Sequence, residues 1–279
     1  MIEFENPILT INNLRKQYGD GCHHCIDLEE DALEKNYCVK CGTIYACQDV
    51  SFNVYHGEIL GVVGESGSGK STMMSCMYFD QEVTSGEAYI STYEDTNLFN
   101  VSSQQKRYIR NNVLGMVYQN PLLGLKMDFS SIGNIAEKLI SAGCRNIGEM
   151  QLRGQELLDH VKIPTFRMKE APKNFSGGMQ QRVQIAKALS NNPPILLLDE
   201  ITTGLDLSVQ ANVLDLIKKI QRELGITMIV VSHDLGVIRM LADRTIVMLN
   251  GKIIEQGLTD QILEDPQHPY TQQLVYSLL

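Results

Sequence analysis

The 279-residue sequence predicts an α/β fold built around a phosphate-binding loop, and three observations carry that prediction. Ile59-Leu60-Gly61-Val62-Val63 is short, apolar and β-branched at its end, as a buried parallel strand should be. It runs straight into Gly64-Glu65-Ser66-Gly67-Ser68-Gly69-Lys70-Ser71-Thr72, which fits G-x-x-x-x-G-K-[ST]. A second apolar run, Ile195-Leu196-Leu197-Leu198, ends in the carboxylates Asp199-Glu200, at the strand edge where α/β folds place their ligands.

The remaining elements follow in order. Residues 8–14 alternate in part and predict an edge strand ending before Tyr18-Gly19. Residues 49–55 alternate again and turn at His56-Gly57 into the loop strand; residues 87–91 add a strand that closes an antiparallel layer. Residues 113–118 form a strand running into Gln119. Ile135, Leu139 and Ile140, then Leu157, Leu158 and Val161, recur at helical spacing and mark a helical lobe over residues 120–190. A helix over 177–190 stops at Asn191-Asn192-Pro193-Pro194. Val209, Val213, Leu216, Ile217, Ile220 and Leu224 line one face of an amphipathic helix, and residues 228–231 and 245–249 are further strands. Without internal repeats, residues 1–279 read as a single domain.

Charge and composition narrow the function. A net charge of −9 with no Lys/Arg run argues against direct nucleic-acid binding. The N-terminal MIEFENP has no apolar core of a secretory signal, and no apolar run is long enough to cross a bilayer. The expectation is a soluble, cytoplasmic protein with no transmembrane segment of its own, and seven cysteines there point to metal or free thiols before disulfides.

The chemistry follows from residue types. Gly64, Gly67 and Gly69 let backbone N–H groups approach phosphate oxygens, and the helix starting near Lys70 aims its positive end at the same anion. Lys70 would reach the β- and γ-phosphates of a nucleoside triphosphate, and the Ser71 hydroxyl would bind Mg²⁺. Asp199 would support Mg²⁺ and Glu200 would polarise the attacking water, although an acidic turn can follow any buried strand. Gln119 has the amide to ligate Mg²⁺ or its water. His233, in Ser232-His233-Asp234, could contact the γ-phosphate or be merely structural. Tyr18 could stack on adenine or simply pack.

The order of these landmarks, with Phe175-Ser176-Gly177-Gly178-Met179-Gln180-Gln181-Arg182 between them, resembles the ATP-binding cassette (ABC) ATPases over nearly the whole chain. The resemblance implies a P-loop NTPase of the ABC nucleotide-binding type. It also implies a head-to-tail dimer with a second ABC subunit, in which Ser176, Gly177, Gly178 and Gln180 of one copy cap ATP on the other. Gly204-Leu205-Asp206 would link the two sites. Ile201 departs from the Pro common after the catalytic Glu, which puts the local turn in question and leaves Glu200 intact. The tail at residues 265–274, DPQHPYTQQL, is similar to oligopeptide and nickel importer ATPases and to those of phosphonate breakdown. Residues 119–126 and 133–137, with Lys162-Ile163-Pro164 and Leu258-Thr259-Asp260, are similar to the ATPase of the carbon–phosphorus lyase system. That resemblance implies soluble lyase core subunits as partners; the alternative is a membrane permease.

Between Tyr18 and Asp49 lies an insertion that a plain cassette does not need, residues 20–47, with Cys22-x2-Cys25 and Cys38-x2-Cys41. The double pair has the spacing of a four-cysteine metal site, with Zn²⁺ the first assignment and iron in a rubredoxin-like site the alternative. His23 and His24 read as solvent-facing and Cys47 as spare. Metal modules inserted in a cassette also resemble DNA-repair excision ATPases. Here, however, Asp20, Asp27, Glu29, Glu30, Asp31 and Glu34 outnumber Lys35 and Lys40, a surface phosphates avoid, and that family carries two cassettes per chain.

Overall fold

The computed structural model describes residues 6–26, 33–93 and 96–276. Along the chain run β1 (Pro7–Tyr18), α1 (His23–Ile26), β2 (Ile44–Tyr55), β3 (Ile59–Val63), α2 (Lys70–Met77) and β4 (Ser85–Ile90). Then come α3 (Ser103–Asn112), β5 (Leu114–Val117), α4 (Pro121–Gly124), α5 (Ser131–Ser141), α6 (Ile147–His160), α7 (Gly177–Ala188), β6 (Ile195–Asp199), α8 (Leu207–Leu224) and β7 (Thr227–Val231). The last elements are α9 (Leu235–Leu241), β8 (Arg244–Leu249), β9 (Lys252–Leu258), α10 (Thr259–Glu264) and α11 (Pro269–Tyr276). Two compact units result, residues 1–102 with 231–279, and residues 103–230. Among the described residues no helix is long and apolar enough to cross a membrane.

The first unit holds an antiparallel sheet in the order β2-β1-β4. Residues 8–14 therefore do not form an edge strand: β1 pairs on both sides, with β2 and with β4. Alternation reports which face of a strand is buried, here with Leu9, Ile11 and Leu14 inside, and is silent on how many edges are paired. β2 also begins earlier than its alternation suggests, because Lys16, Gln17 and Tyr18 pair with Cys47, Tyr45 and Ile44. In the same unit β3 pairs in parallel with β8, and β8 antiparallel with β9. The root of β3 is pinned by the buried Glu58 carboxylate, which accepts the Tyr55 N–H at 2.7 Å and an Arg244 N–H at 3.1 Å.

In the second unit β5 and β6 pair in parallel and β7 lies beyond β6, all fully buried, as their continuous apolar runs require. Helices α5 to α7 form the helical part. Asn146 caps α6 by accepting the Gly148 N–H at 3.0 Å, and Asp206 caps α8 through Ser208 and Val209.

Candidate functional site

The phosphate loop belongs wholly to the first unit. Gly64 and Gly69 sit at φ 149° and 104°, and each is pressed against backbone. A β-carbon at Gly64 would lie 2.2 Å from the Met248 carbonyl oxygen, and one at Gly69 would lie 2.1 Å from that of Ala46. Only glycine meets both the dihedral and the contact. Gly67 has open space above it, and Glu65, Ser66 and Gly67 are exposed, so the loop presents backbone to solvent. Lys70 is only 4% exposed, and its ammonium donates to the carbonyls of Gly64 and Glu65, each at 2.8 Å. Ser71 and Thr72 follow in the first turn of α2, whose N-terminal N–H groups favour an anion. The Ser232 N–H donates to Val62 at 3.1 Å, which brings the exposed His233 to the end of β3. Tyr18, half-exposed at the end of β1, donates its hydroxyl to Gln81 and carries Lys16 over its ring.

One contact was invisible in the motif itself. Tyr270 of α11 offers its hydroxyl oxygen to the Glu65 N–H at 2.8 Å. Its turn is built by Glu255, which accepts the Gln267 and His268 N–H groups at 2.8 and 3.0 Å. The tail that serves in the sequence only as a family likeness thus props the outer side of the phosphate loop.

The carboxylates belong to the second unit. Asp199 ends β6 and is buried; Glu200 follows with φ 45°, a left-handed turn that throws its side chain outward, while Ile201 is buried and anchors that turn. Glu200 Oε2 accepts the Gln119 amide N–H at 2.9 Å and the Thr203 hydroxyl at 3.2 Å. Gln119 and Glu200 are therefore brought together, and the Gln119 amide oxygen is not consumed by that bond. Two glutamines to which the sequence assigns no role of their own hold the adjoining Tyr118 backbone in place. Gln184, 1% exposed, accepts the Tyr118 N–H at 2.8 Å and donates to the Tyr118 carbonyl at 3.0 Å, and Gln181 donates to the same carbonyl at 3.4 Å.

Ser176 is the N-cap of α7, exposed, with its hydroxyl making no capping bond; Gly177 is exposed beside it. Gly178 is packed so tightly that a β-carbon would lie 2.3 Å from Val209 Cγ1. The Gln180 amide donates to Pro172 and Phe175 carbonyls at 2.9 and 3.2 Å, bracing the turn that presents Ser176. Gly204, Leu205 and Asp206 precede α8, and hydrogen bonds led by the Ser208 hydroxyl hold the Asp206 carboxyl below its ordinary range.

The four cysteines converge. Cys22, Cys25, Cys38 and Cys41 place their sulfurs within 4.8 Å of one another, with Cys22–Cys25, Cys22–Cys38 and Cys25–Cys41 at 3.7, 3.9 and 3.6 Å. A tetrahedral site with zinc–sulfur bonds of about 2.3 Å needs sulfurs about 3.8 Å apart, so the donors fit the ion in number, type and spacing. The Thr43 hydroxyl, 3.2 Å from Cys41 Sγ, brings that thiol down to about 6, which favours the thiolate a metal binds. Cys47 is separate: burial pushes its thiol up to about 12. Asp27, Glu29, Glu30 and Asp31 lie outside the described residues.

A strand-fed glycine loop with a buried lysine, and a strand-end Asp-Glu pair, define a nucleoside-triphosphate-hydrolysing α/β protein. The chain belongs to the ABC transporter family, whose model matches residues 47–203, and it is an ATPase. It is 42% identical over 273 residues, 98% of each chain, to the Escherichia coli K12 protein described as a putative phosphonates utilization ATP-binding protein, PhnK. It is 36% identical to the Bacillus subtilis oligopeptide transport ATP-binding protein OppF, covering 90% of this chain and 82% of that one. Among solved structures, the dimeric bacterial ABC transporter cassette MJ0796 superposes with a TM-score of 0.75 at 30% identity, over 90% of this chain and 98% of that one. The same cassette bound to ADP and phosphate after hydrolysis gives 0.74.

Proposed function

We propose that this ATPase drives the soluble carbon–phosphorus lyase core in phosphonate breakdown, working as a head-to-tail dimer that closes on two ATP molecules. The observation that carries the reading is identity of 42% across 98% of both chains with a protein whose description names phosphonate utilization, above the 36% with an oligopeptide transport ATPase. A dimeric cassette of similar fold supports the second ABC subunit.

In this reading Lys70, freed from the Gly64 and Glu65 carbonyls, turns to the β- and γ-phosphates, and the 64–72 backbone and α2 N-terminus hold them. Ser71, Gln119 and Asp199 offer hydroxyl, amide and carboxylate oxygens, the hard donors that suit Mg²⁺. Held by such donors, Mg²⁺ would neutralise charge on the phosphates. Glu200, oriented by Gln119 and Thr203, takes the proton of the attacking water, and His233 senses the γ-phosphate. Ser176, Gly177 and Gly178 cap the nucleotide of the partner, with Gln180 holding their turn, and residues 204–206 carry the change between the sites. Cys22, Cys25, Cys38 and Cys41 hold zinc, with iron as the alternative ion.

Purification of the tagged chain from its host with ATP present tests the reading. Copurifying soluble lyase subunits are the expected result. Membrane-spanning permease subunits would replace it with the importer reading that the oligopeptide relatives favour.

A further inference from the structure

The four-cysteine cluster and the phosphate loop are separated by one short piece of strand. Residues 43–47 are tied to the cluster on one side. The Thr43 hydroxyl accepts the Gly21 N–H at 3.0 Å and lies beside Cys41 Sγ, and the Thr43 carbonyl accepts the Cys38 N–H at 2.9 Å. Tyr45 packs on Cys25 and Cys38, its hydroxyl donates to the Cys25 carbonyl at 3.4 Å, and its N–H donates to Asn36 at 2.8 Å.

On the other side the same residues touch the phosphate loop. The Ala46 carbonyl oxygen is pressed against Gly69, close enough that a β-carbon there would lie 2.1 Å away, and Cys47 Sγ lies 3.9 Å from the Gly69 carbonyl. The Gly251 backbone is wedged against Tyr45 and Ala46. It donates its N–H to the Ser68 carbonyl at 3.0 Å and accepts the Gln48 N–H at 2.7 Å. Gly69 is the N-cap of α2, so a shift of Ala46 displaces the N–H groups that meet phosphate.

We infer that residues 43–47 position the phosphate loop from the metal centre, so that filling the four-thiolate site tightens binding of Mg·ATP. The inference rests on the metal reading proposed above. A loop that must order its own short strand start gives up conformational freedom on binding nucleotide; a metal clamp removes that loss in advance. Because coupling between two sites is reciprocal, Mg·ATP must raise metal affinity by the same factor.

The test uses the full chain carrying Glu200→Gln, so that ATP is not consumed. Its Kd for Mg·ATP is measured with zinc bound, after zinc is stripped and the chelator removed, and after zinc is returned. The expected result is a loss of at least about fivefold on stripping, the lower end of ordinary coupling between sites, reversed by zinc. Zinc affinity should rise by the same factor in saturating Mg·ATP. Tyr45→Ala, which keeps all four cysteines, should still bind one zinc yet bind Mg·ATP several-fold more weakly. It decides the matter if the stripped chain unfolds. One bound metal per chain with unchanged nucleotide affinity in the stripped, folded protein, or in zinc-loaded Tyr45→Ala where stripping unfolds the chain, overturns the coupling and leaves the metal site standing. A wild-type chain that binds neither zinc nor iron overturns both.

Discussion

Replacing Glu200 by Gln separates the charge of this residue from its place in the fold. In the wild type one carboxylate oxygen accepts from the Gln119 amide at 2.9 Å and from the Thr203 hydroxyl at 3.2 Å. A glutamine is isosteric and can present its amide oxygen to both donors, and it meets the same φ of 45°. Gln119 and Thr203 are exposed, so even an imperfect amide leaves them water as a partner. The folded-state change should thus stay within about 0.5 kcal/mol. What disappears is the carboxylate proposed as the base. General-base catalysis contributes about 10²- to 10⁴-fold, equivalent to about 2.7–5.4 kcal/mol of barrier. Single-turnover hydrolysis with Mg²⁺ should slow by that factor while the Kd for Mg·ATP and the melting temperature hold, and gel filtration with ATP should show an accumulated dimer. Turnover within about threefold of wild type in a folded, ATP-binding variant would refute the assignment of the base.

Other consequences are equally concrete. Gly178→Ala should destabilise through its collision with Val209 Cγ1, by an overpacking cost of about 1–3 kcal/mol less about 1 kcal/mol regained in helix propensity. Adding Val209→Ala should recover most of that loss in melting curves, and strictly additive effects would show that the contact is not what demands glycine. Tyr270→Phe removes the acceptor of the Glu65 N–H and should raise KM for ATP about fivefold at nearly constant kcat, the worth of about one hydrogen bond. A fall in kcat at unchanged KM would place Tyr270 elsewhere in the mechanism. Cys22→Ser with Cys25→Ser should lower metal content and melting temperature together, and unchanged metal content would eliminate the four-thiolate site.

What was legible in the sequence was what neighbouring residues carry between them. The phosphate loop, the Asp199-Glu200 strand end and the two Cys-x2-Cys pairs are each contiguous, so spacing alone made them candidates. The supports of those groups were not legible, because each joins distant residues. Gln181 and Gln184 look like the polar face of a helix, and only the Tyr118 backbone N–H and carbonyl, just past β5, make them buried partners. Tyr270 reaches Glu65 across 205 positions of sequence. β9 also escaped notice, since Lys252–Leu258 is largely half-exposed along its length and lacks the two-residue alternation that marks a strand. Both edges of β1 are used for the same kind of reason: β4 supplies the second partner from 70 or more residues away, as in the Arg15–Ser85 pair.

The ATPase machinery does not by itself select a partner, so selectivity must come from side chains that the fold leaves outside. Leu122 and Leu123 on α4, directly after Gln119 and Asn120, are 63% and 72% exposed. Their backbone is far from loose. Asn120 caps α4 by accepting the Leu122 N–H at 3.0 Å, and the Lys187 ammonium of α7 donates to the Gly124 carbonyl at 2.9 Å. Glu137, against the pull of partial burial, is held below its ordinary value by Lys126 and Lys187, closing a second tie between this segment and α7. A partner that gripped Leu122 and Leu123 would therefore pull on a segment that begins at Gln119 and is fastened to α7, the helix capped by Ser176. Leu122→Ser with Leu123→Ser should leave melting temperature and Mg·ATP affinity unchanged, as exposed substitutions do within about 0.5 kcal/mol. Capture of the proposed partner, the soluble lyase subunits, should fall at least tenfold, the loss of roughly 1.4 kcal/mol or more of interface energy. Undiminished capture would move the docking surface off α4 and break the proposed link between partner and Gln119.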